Sequence, residues 1–261
     1  MSGEELTAEF GVVAEWTADV VDELGPEYAI VAGCRGSGDP AVLDWLAQAC
    51  GVGPETALVD VGAGVGGAAA WVAETYGARA ALVEPMEAAC RAARRMFGWD
   101  AVRARGEALP FGDGRFDVAW CVGVLCTVHE KLALLHEIAR VLRPGGSLGM
   151  TVLVADPALH SAVPKGNEFP EADELRDLIA GAGLTLRALT EAPNGTTPTE
   201  WVLKADQVDE MLRKQHRSDR AWRESEEQGR KLSHLLTTRQ VTTRLLHATK
   251  SEFLREVKPC G

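Results

Sequence analysis

Residues 57–67 read Ala-Leu-Val-Asp-Val-Gly-Ala-Gly-Val-Gly-Gly. Leu58, Val59 and Val61 form an apolar run broken by a single acid, Asp60, and glycines follow at 62, 64, 66 and 67. A short apolar run that ends in a turn signal predicts a strand buried on both faces. The glycines predict a tight turn, and the Ala-, Trp- and Val-rich segment behind them predicts a helix. Strand, glycine loop and helix in this order make the nucleotide-binding corner of a Rossmann-like sheet. The unit implies an adenosine-containing cofactor.

Working outward, strands and helices alternate. Further strands are expected at 80–83, near 101–104, at 116–121, 147–154 and 184–189, and at 241–249. Helices are expected at 4–24, where Phe10, Val13, Trp16, Val20 and Val21 recur at helical spacing, and from Asp39-Pro40 to Cys50. Asp39 suits an N-cap and Pro40 the first turn. Others run to Tyr76, over Met86–Phe97, 131–142 and 171–182. The pattern predicts an α/β fold: a Rossmann-like, seven-stranded, mostly parallel sheet with helices on both faces. Three parts are expected: an N-terminal helical lid over 1–39, a cofactor-binding core over 40–190, and a helical insertion or cap with the final strand over 191–261. The loop 191–198 carries Pro, Asn and Gly. The charged segment 200–236 holds an apolar stripe (Trp201, Leu203, Val208, Met211, Leu212) that suits a cap over a substrate cavity or a homodimer surface.

Composition narrows the function classes. A chain of 261 residues can bury one large core. A formal charge of −11 repels phosphate backbones, which disfavours nucleic acid as a partner. The start, MSGEELTAEF, lacks a basic region and an apolar run, and no stretch has the length of a membrane span, so a cytoplasmic protein is expected. The cysteines at 34, 50, 90, 121, 126 and 260 show no Cys-x-x-Cys spacing. They read as reduced, structural residues, and no metal site is expected.

The loop alone leaves the cofactor open. Glycines 62, 64 and 67 satisfy the dinucleotide pattern G-x-G-x-x-G, while 62, 64 and 66 satisfy the G-x-G-x-G of S-adenosylmethionine enzymes. Glu84, ending the second strand, suits a ribose diol in either case. Three further features separate the two. Asp60, two residues before the first glycine, suits a cationic amino-acid cofactor and would repel a pyrophosphate. Gly106-Glu107-Ala108-Leu109-Pro110-Phe111 is followed by Phe116-Asp117, and Ala139-Arg140-Val141-Leu142-Arg143-Pro144-Gly145-Gly146 precedes the next strand. In this order and spacing the chain resembles the class I S-adenosylmethionine-dependent methyltransferases over residues 40–190. Its nearest likeness there is to the small-molecule enzymes of the ubiquinone and menaquinone biosynthesis type.

That resemblance implies methyl transfer from S-adenosylmethionine to oxygen, nitrogen or carbon of a small molecule. It implies that Asp60 and the backbone around Gly62, Gly64 and Gly66 hold the methionine part. Glu84 would take the ribose hydroxyls, Met86 would pack on the adenine, Gly106 and Glu107 would read its edge, and Cys121 would close the floor. Arg105 departs from the pattern, because relatives often carry an acid there and arginine accepts no hydrogen bond. Arg35, in a glycine-rich stretch, is a candidate clamp for the cofactor carboxylate, and Tyr28 is a candidate lining residue of the same lid. His129 is the candidate general base, although a solvated loop histidine is the blander reading. His160 and Asn167 are the candidate substrate residues. The alternatives are a cyclase-like enzyme that keeps the cofactor without methylating, and a nicotinamide oxidoreductase.

Overall fold

A computed structural model of the protein describes residues 3–36, 38–193 and 197–252. Cys260 and part of the expected loop 191–198 lie outside the described residues. The chain runs α1 (Gly3–Leu24), α2 (Ala29–Gly33), α3 (Pro40–Ala49), β1 (Ala57–Val61), α4 (Gly67–Tyr76), β2 (Arg79–Val83) and α5 (Glu87–Phe97). It continues through β3 (Phe116–Val122), α6 (Lys131–Val141), β4 (Leu142–Ala155), α7 (Ala172–Gly181), β5 (Leu184–Glu191), α8 (Thr199–His216), α9 (Arg220–Thr237) and β6 (Val241–Lys250).

The sheet order is β2-β1-β3-β4-β6-β5. β2, β1, β3 and β4 are parallel, and β6 runs antiparallel between β4 and β5. The mostly parallel α/β architecture thus agrees with the sequence reading, but the sheet of the described residues has six strands, not seven. The expected strand near 101–104 shrinks to one bridge between Val83 and Val102. Val102 is flanked by Arg103 and Arg105, both exposed and both drawn into side-chain ion pairs, and is itself exposed. The segment buries only the small side chains of Ala101 and Ala104, too little to extend the ladder.

The termini of the helices follow their chemistry. Asp39 caps α3, its side chain accepting from the Val42 amide at 3.1 Å, and Gly77 and Gly98 close α4 and α5 in the left-handed conformation. Trp120 on β3, Leu58 on β1 and Leu43 and Leu46 on α3 are fully buried on one sheet face. Leu134, Leu135 and Ile138 of α6 pack on the other with Leu148 and Met150 of β4. Cys34, Cys50, Cys121 and Cys126 are buried free thiols. None of the described helices is long and apolar enough to cross a membrane.

Candidate active site

The site grows from the carboxyl end of β1. Asp60 sits in register between Leu82 on β2 and Trp120 on β3. Just beyond it, the amides of Gly62 and Ala63 both donate to the Val83 carbonyl, at 2.8 and 3.0 Å, so the loop stays fastened to β2. Gly62 and Gly64 have φ of +78° and +56°, which side chains rarely adopt. A Cβ on Gly62 would overlap the Val124 side chain, whereas one on Gly64 would meet nothing within 4 Å. Gly62 is thus a packing glycine, and Gly64 borders open space. Gly66, at the N-cap of α4, takes φ +90° and lies close to Leu82.

Glu84 is buried, and each of its oxygens accepts from the backbone: Oε2 from the Gly64 amide and Oε1 from the Met86 amide, both at 2.9 Å. Burial raises its pKa while the two amide hydrogen bonds pull it back. Each oxygen still has a lone pair for a hydroxyl donor. Met86 caps α5 and packs beside Ala14 and Ala18 of α1.

Asp60 is the anomaly. It is 1% exposed, and its Oδ2 has no hydrogen-bond partner. Burial, and then the negative charge of Glu84, push its pKa up to about 7. The buried thiols of Cys34 and Cys121 feel the same acid, which together with their own burial drives their pKa upward. A carboxylate so placed is costly unless a cation or strong donor meets it. Arg35, adjacent to Cys34 in sequence, does not fill that role, because its Nε lies 2.8 Å from Asp209 Oδ1 on α8. The unsatisfied acid and the open space at Gly64 fit a ligand with a positively charged amino-acid end.

The two downstream motifs dock on each other. Arg140 on α6 donates to the carbonyls of Leu109 and Phe111, at 2.9 and 2.7 Å, and pairs with Asp113 and Glu137. The Leu109 amide donates to Glu137 at 2.7 Å. This clamp holds the 106–111 segment against α6, where a Cβ on Gly106 would overlap Leu134. Glu107 is engaged at 2.8 Å by the Arg105 guanidinium, the residue that departs from the family pattern. Asp117 accepts from the Ala57 amide at 2.8 Å and pairs with Arg143, a structural role tying β3 to β1.

Beyond the β3 end lies a cavity of about 520 Å³. Gly36 and Gly38 border it, as do Gly123 and Thr127, which flank the Val124 side chain that packs on Gly62. Val42, Val152, Leu153, Pro164, Leu232 and Leu236 give it apolar walls. Its polar surface comes from Thr127, Thr151, Asn167, Ser225, Gln228 and Thr243.

The predicted substrate residues divide. Asn167 lines this cavity, and its amide donates to the Lys165 carbonyl at 3.3 Å. His129 is exposed and holds Glu168 at 2.8 Å, and His160 is exposed with Nδ1 2.9 Å from the Ala158 carbonyl; neither borders the cavity. Tyr28 donates to Gln207 on α8 at 2.5 Å and faces the helical cap instead. Sequence reasoning missed Thr127, Thr151, Gln228 and Thr243, which come from separate elements and form no linear pattern.

Comparison with known proteins gives this geometry a context. Residues 59–150 match the family model described as "Methyltransferase domain". The glycine/sarcosine/dimethylglycine N-methyltransferase of Actinopolyspora halophila is 31% identical over 152 residues, covering 53% of this chain and 25% of that protein. Methyltransferase GfsG of Streptomyces halstedii is 29% identical over 194 residues, covering 62% of this chain and 68% of the relative. Other curated relatives are matched over 46%, 59% and 56% of their length, so the chain spans about half of most of them. Among solved structures, the [4+2]-cyclase SpnF has the same fold, with a TM-score of 0.65 at 24% identity and 80% of both chains covered. The chain is thus similar in sequence to methyltransferases, with residues 59–150 matching a methyltransferase domain, and similar in fold to SpnF.

Proposed function

We propose that this protein transfers a methyl group from S-adenosylmethionine to a small-molecule acceptor. The observation that carries the reading is the buried, unpartnered Asp60 carboxylate beside the open space at Gly64. When bound, the cofactor supplies a methyl group on a sulfonium that is already a strong electrophile. The chain's task is then mostly to bind and orient. Asp60 takes the cofactor's ammonium, and the backbone at Gly62, Gly64 and Gly66 admits the methionine part. Glu84 accepts from the ribose hydroxyls while keeping its two amide donors. Met86 packs on the adenine from beneath α1. Gly106 and Glu107 meet the adenine edge, and Cys121 forms the floor. Arg35 serves as a carboxylate clamp only by exchanging Asp209 for the ligand.

Holding acceptor and methyl in line can supply roughly 7–11 kcal/mol, so a strong base is not required. We extend the proposal to a cytoplasmic protein without a nucleic-acid or membrane partner, in keeping with its acidic balance. Any homodimer face would be the exposed Val202 and Leu203 of α8.

Calorimetric titration with S-adenosylhomocysteine tests the reading. Binding is expected, and Asp60→Asn is expected to weaken it roughly 10-fold or more, from the loss of a charge-assisted contact. Absence of binding by the folded wild-type protein would sink the proposal. A cyclase-like reaction is the second reading, favoured by the fold it shares with SpnF. Release of demethylated cofactor in step with product decides against it.

A further inference from the structure

The cavity beyond Gly123 has a lining whose chemistry selects among acceptors. Among the described residues that border it there is no aspartate, glutamate or histidine. Polar contact is offered by neutral hydroxyls and amides, and Lys165 is its one ionisable residue. The candidate base identified in the sequence lies elsewhere, because His129 is fastened to Glu168, and the candidate substrate residue His160 is held at the Ala158 carbonyl. The hydroxyl of Thr127 already donates to the Val124 carbonyl at 2.8 Å and so presents lone pairs to the cavity side. Gln228 accepts from the Lys165 amide at 3.0 Å, which leaves its amide nitrogen as a donor. The volume of about 520 Å³ suits a molecule of drug-like size.

Two consequences follow. A small zwitterion such as an amino acid would bury its ammonium with no acidic partner among the lining residues, since Lys165 could meet only its carboxylate, and that is costly. An alkyl alcohol would have to lose its proton as it attacks, with no carboxylate or imidazole among the described lining residues to take it. We infer that the acceptor is a largely apolar molecule, uncharged in solution, whose nucleophile is an acidic hydroxyl of the phenol or enol type, held by Thr127 and Gln228. Such a hydroxyl is bound neutral, donating to Thr127 and accepting from Gln228, and its acidity lets it release its proton to water as the oxygen attacks. The oxygen then forms its bond to the methyl carbon while the carbon–sulfur bond breaks, its electron pair passing to sulfur to leave a neutral thioether. The inference rests on the methyltransferase reading above.

The test uses the full chain with 1-naphthol, 1-naphthylmethanol and sarcosine. S-adenosylhomocysteine binding is measured first, then binding of each probe to that complex, then turnover with S-adenosylmethionine. The expected result is that 1-naphthol binds and is methylated with kcat/KM at least about 10-fold above either other probe. Gln228→Glu keeps the acceptor for the Lys165 amide but adds a negative charge, so it should weaken 1-naphthol binding about 10-fold with S-adenosylhomocysteine affinity unchanged. Leu232→Ala, which removes wall without adding charge, should weaken the same probe by a similar factor. If S-adenosylhomocysteine binds but 1-naphthol does not, or if sarcosine or 1-naphthylmethanol is preferred, the acceptor assignment falls and the cofactor reading stands. If S-adenosylhomocysteine itself does not bind, the underlying reading falls.

Discussion

Asp60 is buried inside the sheet, and that burial opposes the charge it needs for its proposed hold on the cofactor's ammonium. Its ordinary pKa of 3.8 is pushed to about 7 by burial and by Glu84. The folded state therefore holds its proton more tightly than the unfolded state does. Stability from this residue is greatest below pH 3.8, declines as pH rises from there towards 7, and stays low above it. A shift of this size corresponds to a penalty on the order of 4 kcal/mol once the acid is ionised. Urea unfolding of the ligand-free protein across this window should show that decline, and Asp60→Asn should flatten it. Cofactor product should restore stability at the alkaline end, because a bound cation favours the ionised acid. A wild-type profile no steeper than that of Asp60→Asn would contradict this account. The burial of Asp60 was legible in the sequence, because it stands inside an apolar strand just before the glycines, where an acid is costly to bury unless a ligand meets it. The partners of Arg35, Tyr28 and His129 were not. Each is met by a residue many positions away, namely Asp209, Gln207 and Glu168.

At the scale of elements, the glycine loop serves two masters. Gly67 opens α4, and a Cβ there would overlap the carbonyl carbon of Gly33 and the amide nitrogen of Cys34. The end of α2 thus touches the start of α4 backbone to backbone, seating the N-terminal helices directly on the glycine loop. Since alanine favours a helix over glycine by about 1 kcal/mol, Gly67→Ala would stabilise α4 were it isolated. In the protein it should instead cost about 1–3 kcal/mol through overpacking. Gly229→Ala in α9, where a Cβ meets nothing within 4 Å, is the control and should be neutral or stabilising in the same thermal melts. Equal effects at both positions would remove the packing argument. This contact also accounts for an ambiguity of the sequence. The dinucleotide pattern needs Gly67 as its last glycine, yet Gly67 is spent on a helix contact with no linear signature. The strand expected near 101–104 fails for a related reason. Ala101, Val102 and Ala104 give the segment an apolar look, but Val102 is exposed and only its bridge to Val83 forms. Conversely, Arg140 has the sequence surroundings of an ordinary helix cation, and its grip on Leu109 and Phe111 explains why two separated motifs occur together.

At the scale of the molecule, the N-terminal helices pack with the α8–α9 hairpin between β5 and β6 as one helical layer. Val20 and Val21 of α1 and Ala29 and Ala32 of α2 share a buried cluster with Val208, Leu212 and Trp222 of α8 and α9. Trp16 stacks on His216 with ring centroids 3.9 Å apart and planes 12° from parallel, and His216 is held by Asp219 at 2.9 Å. Gln215 donates to Glu23 at 3.0 Å, and Arg35 reaches Asp209 at 2.8 Å. The exposed polar pairs contribute little singly, so cohesion comes from the shared apolar cluster and the stack. Of the stripe expected on α8, Val208 and Leu212 are buried here and Met211 packs against them, whereas Leu203 is 59% exposed and lies off the cap. Because α2 also sits on Gly67, movement of the hairpin and opening of the cofactor loop should be coupled. Hydrogen exchange can read this. Trp16→Ala should accelerate exchange in α8 as well as in α1, while β3 and β4 keep their protection. S-adenosylhomocysteine should slow exchange in α1, α2 and α8 together in the wild type, and less so in the variant. Protection of α1 and α2 by the ligand with α8 unchanged would mean that the N-terminal helices and the hairpin close independently, with α9 only a wall of the cavity.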